Sequence, residues 1–260
     1  MTDTLKIASW NVNSIKARED HVARFCEERD IDILLMQELK GEAFPTERFE
    51  KMGYHAIVNG QKAYNGVAIL SKIKPENVVS KLPANENDEQ ARFLACDIDD
   101  FHLINIYMPN GNPVDTEKFE YKLDWMNKLY AYLKSQREAD KNFLIGGDFN
   151  VIPEAKDCYD VRDWEGDALY KLEVRKQFQR MMGLGLYDAF RIYDNKPNRY
   201  SFWDYQAGAW PQNKGIRIDH FLTSPHITDR LVACEIDSNP RGWERPSDHT
   251  PIIIEITKDA

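Results

Sequence analysis

The chain has 260 residues, of which 42% are hydrophobic and 30% are charged, and its formal net charge is −9. This composition is typical of a globular protein, and the shortness of the apolar runs excludes a membrane-spanning helix. The acidic balance, taken alone, argues against a polyanionic partner such as a nucleic acid. The length allows either one large domain or two small ones.

Neither the N-terminus nor the cysteines point to an extracellular protein. The first residues, MTDTLKIASW, lack the apolar core and the cleavage pattern of a signal peptide. Four cysteines are widely spaced without a CxxC pair, which favours reduced thiols in the cytoplasm over disulfides or a zinc site. They are Cys26, Cys96, Cys158 and Cys234. We find no linker-like stretch and no repeat of fixed period, so we expect a single domain over residues 1–260.

Strand and helix patterns alternate along the first part of the chain. Residues 31–38 are apolar on both faces, as expected of a strand that is covered on both sides. After the first strand, Asn13 or Ser14 could cap a helix that runs to about Arg29. In chain order the predicted strands here are 5–10, 31–38, 53–60, 65–72 and 101–108.

The second part of the chain begins with a long predicted helix that Pro113 and Asp115 open. Its apolar residues recur at helical spacing, which predicts that they face the core. This stripe consists of Phe119, Leu123, Met126, Tyr130 and Leu133. A further helix near 167–182 is stopped by Gly183. The later predicted strands are 142–150, 200–205, 216–224 and 250–257.

The order of these elements indicates the fold class. Strands and helices are interspersed, but several strands follow one another without a helix between them. This order favours an α/β fold with mixed sheets and helices outside them over a doubly wound parallel sheet.

Polar residues recur where the predicted strands end. Asp148 and Asn150 lie two residues apart after a buried run, so in extended backbone their side chains point to one face. Asp219 lies inside an apolar strand, where a buried carboxylate needs a partner, and a histidine is a natural one. The whole set is Asn11, Glu38, Tyr107, Asn110, Asp148, Asn150, Asp219, Asp248 and His249.

Each of these residues has an ordinary structural explanation when it is taken alone. Glu38 could be a surface acid, Asn11 a capping residue and GGDFN a glycine turn. Tyr107 could be half-buried core, and His249 a satisfied structural histidine. The set as a whole is more informative, because its hard oxygen ligands suit magnesium or manganese and not zinc. An Asp–His pair beside an Asp/Asn pair suits hydrolysis of a phosphate ester, with water as the nucleophile.

Seven segments of the chain carry a family resemblance. In order they are IASWNVNSIKAR, DILLMQELK, YNGVAILSK, INIYMPNG, GGDFNVIP, NKGIRIDHFLTSP and RPSDHTP. Together they resemble the exonuclease III type of abasic-site endonuclease, within the endonuclease/exonuclease/phosphatase superfamily. The resemblance covers about residues 5–256, and WNVNSIKAR, QELK, YNGVAI and RIDHFL are its most specific parts.

The resemblance implies a four-layer α/β sandwich of the DNase I-like kind: two mixed sheets face to face, helices on both outsides and the site at one rim. It implies that Glu38 is the principal ligand of Mg²⁺, which Mn²⁺ can replace, with Asn11 and Asp248 beside it. It also implies that Asp148 orients or deprotonates the attacking water, with Asn150 as its partner.

The remaining catalytic residues follow from the same resemblance. His249 matches the histidine that contacts the scissile phosphate, Asp219 holds it, and Tyr107 matches the tyrosine near the phosphate. We count Asp148, Asn150 and His249 with the metal site as well as with the catalytic site.

The resemblance also implies contacts to DNA. The residues that match backbone-contacting positions are Lys16, Arg18, Lys62, Tyr64 and Asn110. Phe202, Ile216 and Ile218 match the wall of a pocket for a base-less sugar, although ordinary core explains them equally well. Ile216 stands where the eukaryotic members carry tryptophan, which brings the chain nearer to the bacterial subgroup. The segment QAGAWPQ, residues 206–212, lies outside the family pattern, and the resemblance assigns no role to the loop 205–214.

The implied function is Mg²⁺-dependent cleavage of duplex DNA on the 5′ side of abasic sites, alongside 3′-phosphatase and 3′–5′ exonuclease activities that the sequence does not rank. The implied partner is double-stranded DNA with an abasic site or a blocked 3′ end, met by a monomer in the bacterial cytosol, with no membrane. The acidic net charge is compatible with DNA, because local phosphate contacts govern affinity. The rivals are a phosphoinositide or sphingolipid phosphohydrolase and an inactive scaffold. The lack of a signal peptide and the complete residue set argue against them.

Overall fold

Twelve strands form two six-stranded sheets in the computed structural model, which describes residues 4–258. The strands are β1 Thr4–Asn11, β2 Ile33–Gln37, β3 His55–Asn59, β4 Val67–Ser71, β5 Glu76–Val79, β6 Phe93–Ile98, β7 Phe101–Tyr107, β8 Phe143–Asp148, β9 Tyr187–Asp188, β10 Asp219–Thr223, β11 Leu231–Ile236 and β12 Ile252–Thr257. The first sheet has the order β11-β12-β1-β2-β4-β3, and the second has the order β5-β6-β7-β8-β10-β9.

Both sheets are mixed, as the sequence predicted. Each has one parallel pair at its centre, β1 with β2 and β7 with β8, and its other pairs are antiparallel. A parallel pair needs a crossover connection, and here each crossover contains a helix. The four central strands are β1, β2, β7 and β8. No tight hairpin follows the carboxyl end of any of them, so these ends are open at the edges of the sheets.

Helices cover the outer faces of the two sheets. Those on the outer faces are α1 Ile15–Arg29, α2 Thr46–Lys51, α3 Glu117–Glu138 and α4 Leu172–Met182, whereas α5 Ala189–Tyr193 and α6 Pro225–Asp229 add side chains to the apolar layer between the sheets. One apolar cluster lies between the sheets, a second joins the first sheet to α1 and α2, and a third joins the second sheet to α3 and α4. The architecture is a four-layer α/β sandwich, which confirms the prediction. Within residues 4–258, no helix combines the length and apolarity that crossing a bilayer requires.

A buried polar bridge joins the sheets near the ends of their central strands. Gln37 Nε2 donates to Ser9 Oγ at 3.0 Å and, across the sandwich, to Asn105 Oδ1 at 2.8 Å. Asn105 Nδ2 in turn donates to the carbonyl oxygens of Met36 and Ala68 in the facing sheet. Since unpaired polar groups in such a core are costly, this bridge favours one alignment of the two sheets.

The long helix α3 differs from its prediction in its start and in its buried face. It begins at Glu117, with Thr116 as N-cap, and not at Pro113 or Asp115. The residues it buries are Lys122, Trp125, Met126, Leu129, Tyr132 and Leu133, whereas Phe119, Leu123 and Tyr130 of the predicted stripe are only partly buried. The reason is that α3 packs on the sheet and on α4 together, and Arg180 of α4 covers the Tyr130 ring at 3.7 Å.

Three further predictions of local structure were wrong. Residues 200–205 form no regular strand but only isolated bridges that link Phe202 to Ile216 and to His249. β10 begins at Asp219, three residues later than predicted, and α4 begins at Leu172. Seven elements were not predicted: α2, β5, β6, β9, α5, α6 and β11. They are short, and several are too exposed to show a clear apolar period.

Candidate active site

The two parallel pairs bring four predicted site residues to one rim of the sandwich. Asn11 ends β1, Glu38 follows β2, Tyr107 ends β7 and Asp148 ends β8. Within the second sheet, Tyr107 and Asp148 are register partners, and Asp219 at the start of the antiparallel β10 lies opposite Asp148. Because parallel strands end at the same edge, residues distant in sequence are collected there without any long loop.

Two glycines allow β8 to carry Asp148 into this position. A Cβ atom on Gly146 would lie 2.3 Å from the ring of Phe221 in the neighbouring strand. Gly147 has φ +149°, and a Cβ atom there would lie 2.0 Å from the carbonyl oxygen of Ile106. The paired glycines of GGDFN are therefore required by packing within the second sheet.

Asp148 is fully buried and held from two sides. Asn11 Nδ2 donates to Oδ2 at 3.0 Å, and the backbone N–H of Asn150 donates to Oδ1 at 2.9 Å. Burial raises the pKa of Asp148 to about 7, and the nearby Asp219 adds to the rise, whereas His249 opposes it. A carboxylate with a pKa near neutrality is suited to exchanging a proton with a water molecule.

His249 and Asp219 form the Asp–His pair that the sequence predicted. Nδ1 of His249 lies 2.8 Å from Asp219 Oδ2, and Nε2 lies 3.7 Å from Asp148 Oδ2. Burial lowers the pKa of His249, but the carboxylates of Asp219 and Asp148 outweigh it and raise the pKa to about 10. The imidazole is therefore protonated at neutral pH. The ring of Phe202 packs edge-on against it at 5.0 Å.

Tyr107 keeps its hydroxyl proton. Burial raises its pKa well above the ordinary value, and the charges of Glu38 and Asp148 add to this rise. The Arg92 guanidinium lies 4.8 Å over the ring, and Nη1 donates to the Tyr107 carbonyl oxygen at 3.2 Å. Tyr107 is thus a fixed hydrogen-bond donor at the rim.

Glu38 and Asp248 are connected through two residues that the sequence did not single out for this role. Lys40 Nζ lies 3.3 Å from Glu38 Oε1 and donates to Asn13 Oδ1 at 2.5 Å. Asn13 Nδ2 donates to Asp248 Oδ1 at 2.9 Å. Asn13 was predicted only as a possible cap of α1, but the cap position is Ser14, whose side chain makes no capping bond. The sequence signal that could have identified Asn13 is its position two residues after Asn11, which in extended backbone places both side chains on one face.

A divalent cation fits the donors of this rim. Among the described residues, Asp148, Asp219 and His249 bring ligand atoms within 4.8 Å of one another. Asp219 already engages Nδ1 of His249, so this trio alone offers an incomplete set of ligands for a cation. The carboxylates of Glu38 and Asp248 add the hard oxygen donors that Mg²⁺ or Mn²⁺ prefers.

The predicted residues surround a cleft of about 210 Å³. Its lining consists of Asn11, Glu38, Tyr107, Asn110, Asn112, Asp148, Asn150, Trp164, Asp167, Leu169, Phe202, Asp204, Ile218, Asp248 and His249. Ile216 does not line the cleft, and it is only 1% exposed, while Ile218 is 2% exposed. Both pack in one apolar cluster with Leu169. The apolar side of the cleft is formed by Trp164, Leu169, Phe202 and Ile218.

The residues predicted to contact a DNA backbone fall into two groups. Lys16, Lys62, Tyr64 and Asn110 are exposed. Arg18 is instead occupied within the protein. Its guanidinium donates to the carbonyl oxygens of residues 13, 245 and 246 and to the Tyr205 hydroxyl. Arg18 therefore braces the segment that leads into Asp248.

Sequence reasoning missed two further residues beside the site. Tyr205, in the loop left without a role, joins Asn13, Arg18 and the Pro246 carbonyl through its hydroxyl. Lys122 of α3 donates to backbone carbonyls just behind the rim. Its only sequence signal was a lysine on a helix face that is otherwise apolar.

The fold and the site define a class of hydrolases that cleave phosphate esters on a four-layer sandwich. Residues 8–249 match the endonuclease/exonuclease/phosphatase family, and the chain belongs to this family. Within it, the chain is an enzyme of the exodeoxyribonuclease III and AP endonuclease type, as the resemblance of its motifs predicted.

Three relatives illustrate the likeness. Exodeoxyribonuclease III of Haemophilus influenzae is 34% identical over 266 residues, which cover 97% of this chain and 100% of that protein. The 3′-phosphatase NExo from Neisseria, solved with a product DNA hairpin, is 35% identical with a TM-score of 0.95. An AP endonuclease from Archaeoglobus fulgidus is 36% identical with a TM-score of 0.93. In both structural matches, 98% of this chain and 100% of the other chain are covered.

Proposed function

We propose that this nuclease repairs DNA: with Mg²⁺, it cleaves duplex DNA on the 5′ side of abasic sites and removes blocking groups from 3′ ends. The observation that carries the proposal is the cluster of Asp148, His249 and Asp219 at the rim where the four central strands end, with His249 Nε2 3.7 Å from Asp148 Oδ2 and Nδ1 2.8 Å from Asp219 Oδ2. The names of the relatives, a 3′-phosphatase and an AP endonuclease among them, support the substrate.

The chemistry follows from the surroundings of each side chain. Asp148, aligned by Asn11 and by the Asn150 N–H, orients a water molecule and takes its proton. The His249 imidazolium stabilises the charge that develops on the phosphoryl oxygens, and Asp219 fixes its orientation. Tyr107 donates a further hydrogen bond at the rim.

A divalent ion would be held by Glu38, Asn11 and Asp248, with Asp148, Asn150 and His249 close by. When bound, it neutralises the phosphate and the leaving 3′-oxygen. We propose that Mg²⁺ is the physiological ion and that Mn²⁺ can replace it.

A specific observation favours 3′ ends over abasic sites as the better substrate. Leu169 lines the cleft beside Phe202 and Ile218 and packs with Ile216 and Ile218, so its side chain takes up room on the apolar side where an extruded sugar would have to fit. A terminal phosphate requires only the polar side of the cleft. Leu169→Ala should therefore raise the rate of abasic incision relative to the rate of 3′-phosphate removal. An unchanged ratio would show that Leu169 does not select the substrate.

The proposal is tested with two duplexes, one with an abasic analogue and one with a nick that ends in a 3′-phosphate. Each is incubated with excess chelator and then with Mg²⁺ or Mn²⁺. We expect metal-dependent cleavage of both, faster on the 3′-phosphate. Full activity in chelator would refute the metal assignment. Release of phosphate from inositol phosphates, with both duplexes left whole, would favour the rival lipid-phosphate class. We further propose that the enzyme acts as a monomer in the cytoplasm.

A further inference from the structure

Lys122 lies on the inner face of α3, and its side chain is fully buried. Nζ donates to the carbonyl oxygen of Asn110 at 3.0 Å and to that of Asn150 at 2.6 Å. No described carboxylate forms an ion pair with this nitrogen. Burying a lysine without such a partner is costly, so ordinary stabilisation does not explain its position.

The two carbonyls belong to the loops that leave β7 and β8, where site residues lie. Asn150 is in the left-handed region, with φ 47°. Its side chain accepts from Asn110 Nδ2 at 3.2 Å and donates to the Met108 carbonyl at 2.9 Å. Its backbone N–H holds Asp148 Oδ1. A displacement of the Asn150 backbone would therefore move a hydrogen bond that orients Asp148.

The path of the lysine depends on Gly111. This glycine has φ +87°, and a Cβ atom there would lie 2.6 Å from Lys122 Cδ and 3.3 Å from the Cβ of Ala168. The loop after β7 thus passes directly over the lysine stem. Nζ bonds to both loops and the stem also packs under the first one, so Lys122 links the two loops mechanically.

We propose that Lys122 is a positioning residue, which ties the loop after β7 to the loop after β8 and so keeps Asn150 and Asp148 in the reactive arrangement. Two N–H donors serve two carbonyl acceptors, and lysine has at least two such donors in either protonation state. The role in catalysis rests on the proposed function; the link between the loops does not.

The test compares Lys122→Met, which keeps the length of the stem and removes the donors, with Lys128→Met on the same helix. Lys128 is a suitable control because it pairs with Asp124 and Asn85 away from the site. For Lys122→Met we expect the single-turnover rate on the 3′-phosphate duplex to fall about 10²-fold, as misplacement of reacting groups does, with unchanged DNA affinity. Lys128→Met should keep the wild-type rate.

Hydrogen–deuterium exchange gives a readout that is independent of activity. Lys122→Met should speed exchange in segments 108–112 and 149–152, whereas Lys128→Met should leave the exchange of both segments unchanged. Gly111→Ala, which displaces the stem from the first loop alone, should also speed exchange in 149–152. It serves as the test if Lys122→Met does not fold.

The positioning role would be overturned if the folded variants exchanged hydrogen in 149–152 at the wild-type rate. It would also be overturned if each folded Lys122→Met molecule cleaved the 3′-phosphate duplex at the wild-type rate. If the wild-type enzyme leaves both duplexes intact, the proposed function fails, and the exchange comparison still decides whether Lys122 links the loops.

Discussion

Asp148 and Asp219 flank the same histidine, yet their surroundings assign them different tasks. Asp219 pairs directly with Nδ1 of His249, whereas Asp148 faces Nε2 at the longer distance of 3.7 Å and lines the cleft. Asp219 is therefore suited to orienting the ring, and Asp148 is free to act on a water molecule. Replacing Asp148 or Asp219 by asparagine therefore tests the two tasks separately.

Asp148→Asn should bind DNA about as well as the wild type but cleave it slowly. The amide retains the shape of the side chain and cannot accept the proton, and loss of one such group costs about 10²–10³-fold in rate. Equilibrium binding and single-turnover cleavage measure the two effects separately. The exposed Asp163→Asn serves as a control. A variant within a few-fold of the wild-type rate would remove Asp148 from the mechanism.

The same pair predicts the shape of the pH–rate profile. Asp148 acts when ionised, and burial raises its pKa to about 7, so the rate should fall as the pH drops through about 7. A bound cation favours the carboxylate and would move this limb to a somewhat lower pH. His249 acts when protonated, and its neighbours raise its pKa to about 10, so the rate should fall again as the pH rises through about 10. His249→Asn should abolish the alkaline limb alone. Persistence of that limb would assign it to another group.

Among the glycines, the two in β8 leave the least room for a side chain. A Cβ atom on Gly147 would meet a backbone oxygen, Ile106 O, which no side-chain rotation can relieve. We expect Gly147→Ala to destabilise the protein by about 3 kcal/mol, at the upper end of overpacking effects, and to lower activity with it. Denaturant unfolding measures the loss. Gly166→Ala, where nothing lies within 4 Å, should leave stability unchanged. Equal stability of the two variants would contradict this account of β8.

The elements that hold the site could be predicted from the sequence because they are apolar runs in a doubly covered sheet. For such runs, burial alone identifies the strand, and the polar residue after it is then a site candidate. This reasoning found Glu38 and Asp148. It failed for α3, whose buried face is set by contact with both a sheet and α4, and for residues 200–205, which pair only through isolated bridges.

Residues that support the site from a distance in sequence were not predictable. Asn13, Tyr205 and Lys122 each bond to groups that only the tertiary fold brings near, so no local period marks them. Arg18 shows the converse, because its match to a DNA-contacting position did not reveal that its donors are taken by the protein.

At the scale of the whole molecule, an acidic protein has to meet a polyanion. The exposed Lys16 and Lys62 are the predicted phosphate contacts. Lys16→Ala and Lys62→Ala should each weaken DNA binding and reduce the slope of log affinity against log salt by about one. Lys134→Ala, on α3 beside Glu138, should change neither quantity. Unaltered slopes in the first two variants would place the DNA elsewhere.

The two sheets have the same topology. Counting along β11-β12-β1-β2-β4-β3 and β5-β6-β7-β8-β10-β9, every position has the same direction relative to its neighbours, and the helix crossover occurs at the same place. The protein is therefore two half-molecules of one design, with one hairpin of the first half supplied from the far end of the chain. Glu38 and Asp148 follow or end equivalent strands. The site thus lies where the two halves meet, and each half supplies one of its acids, Glu38 from the first and Asp148 from the second.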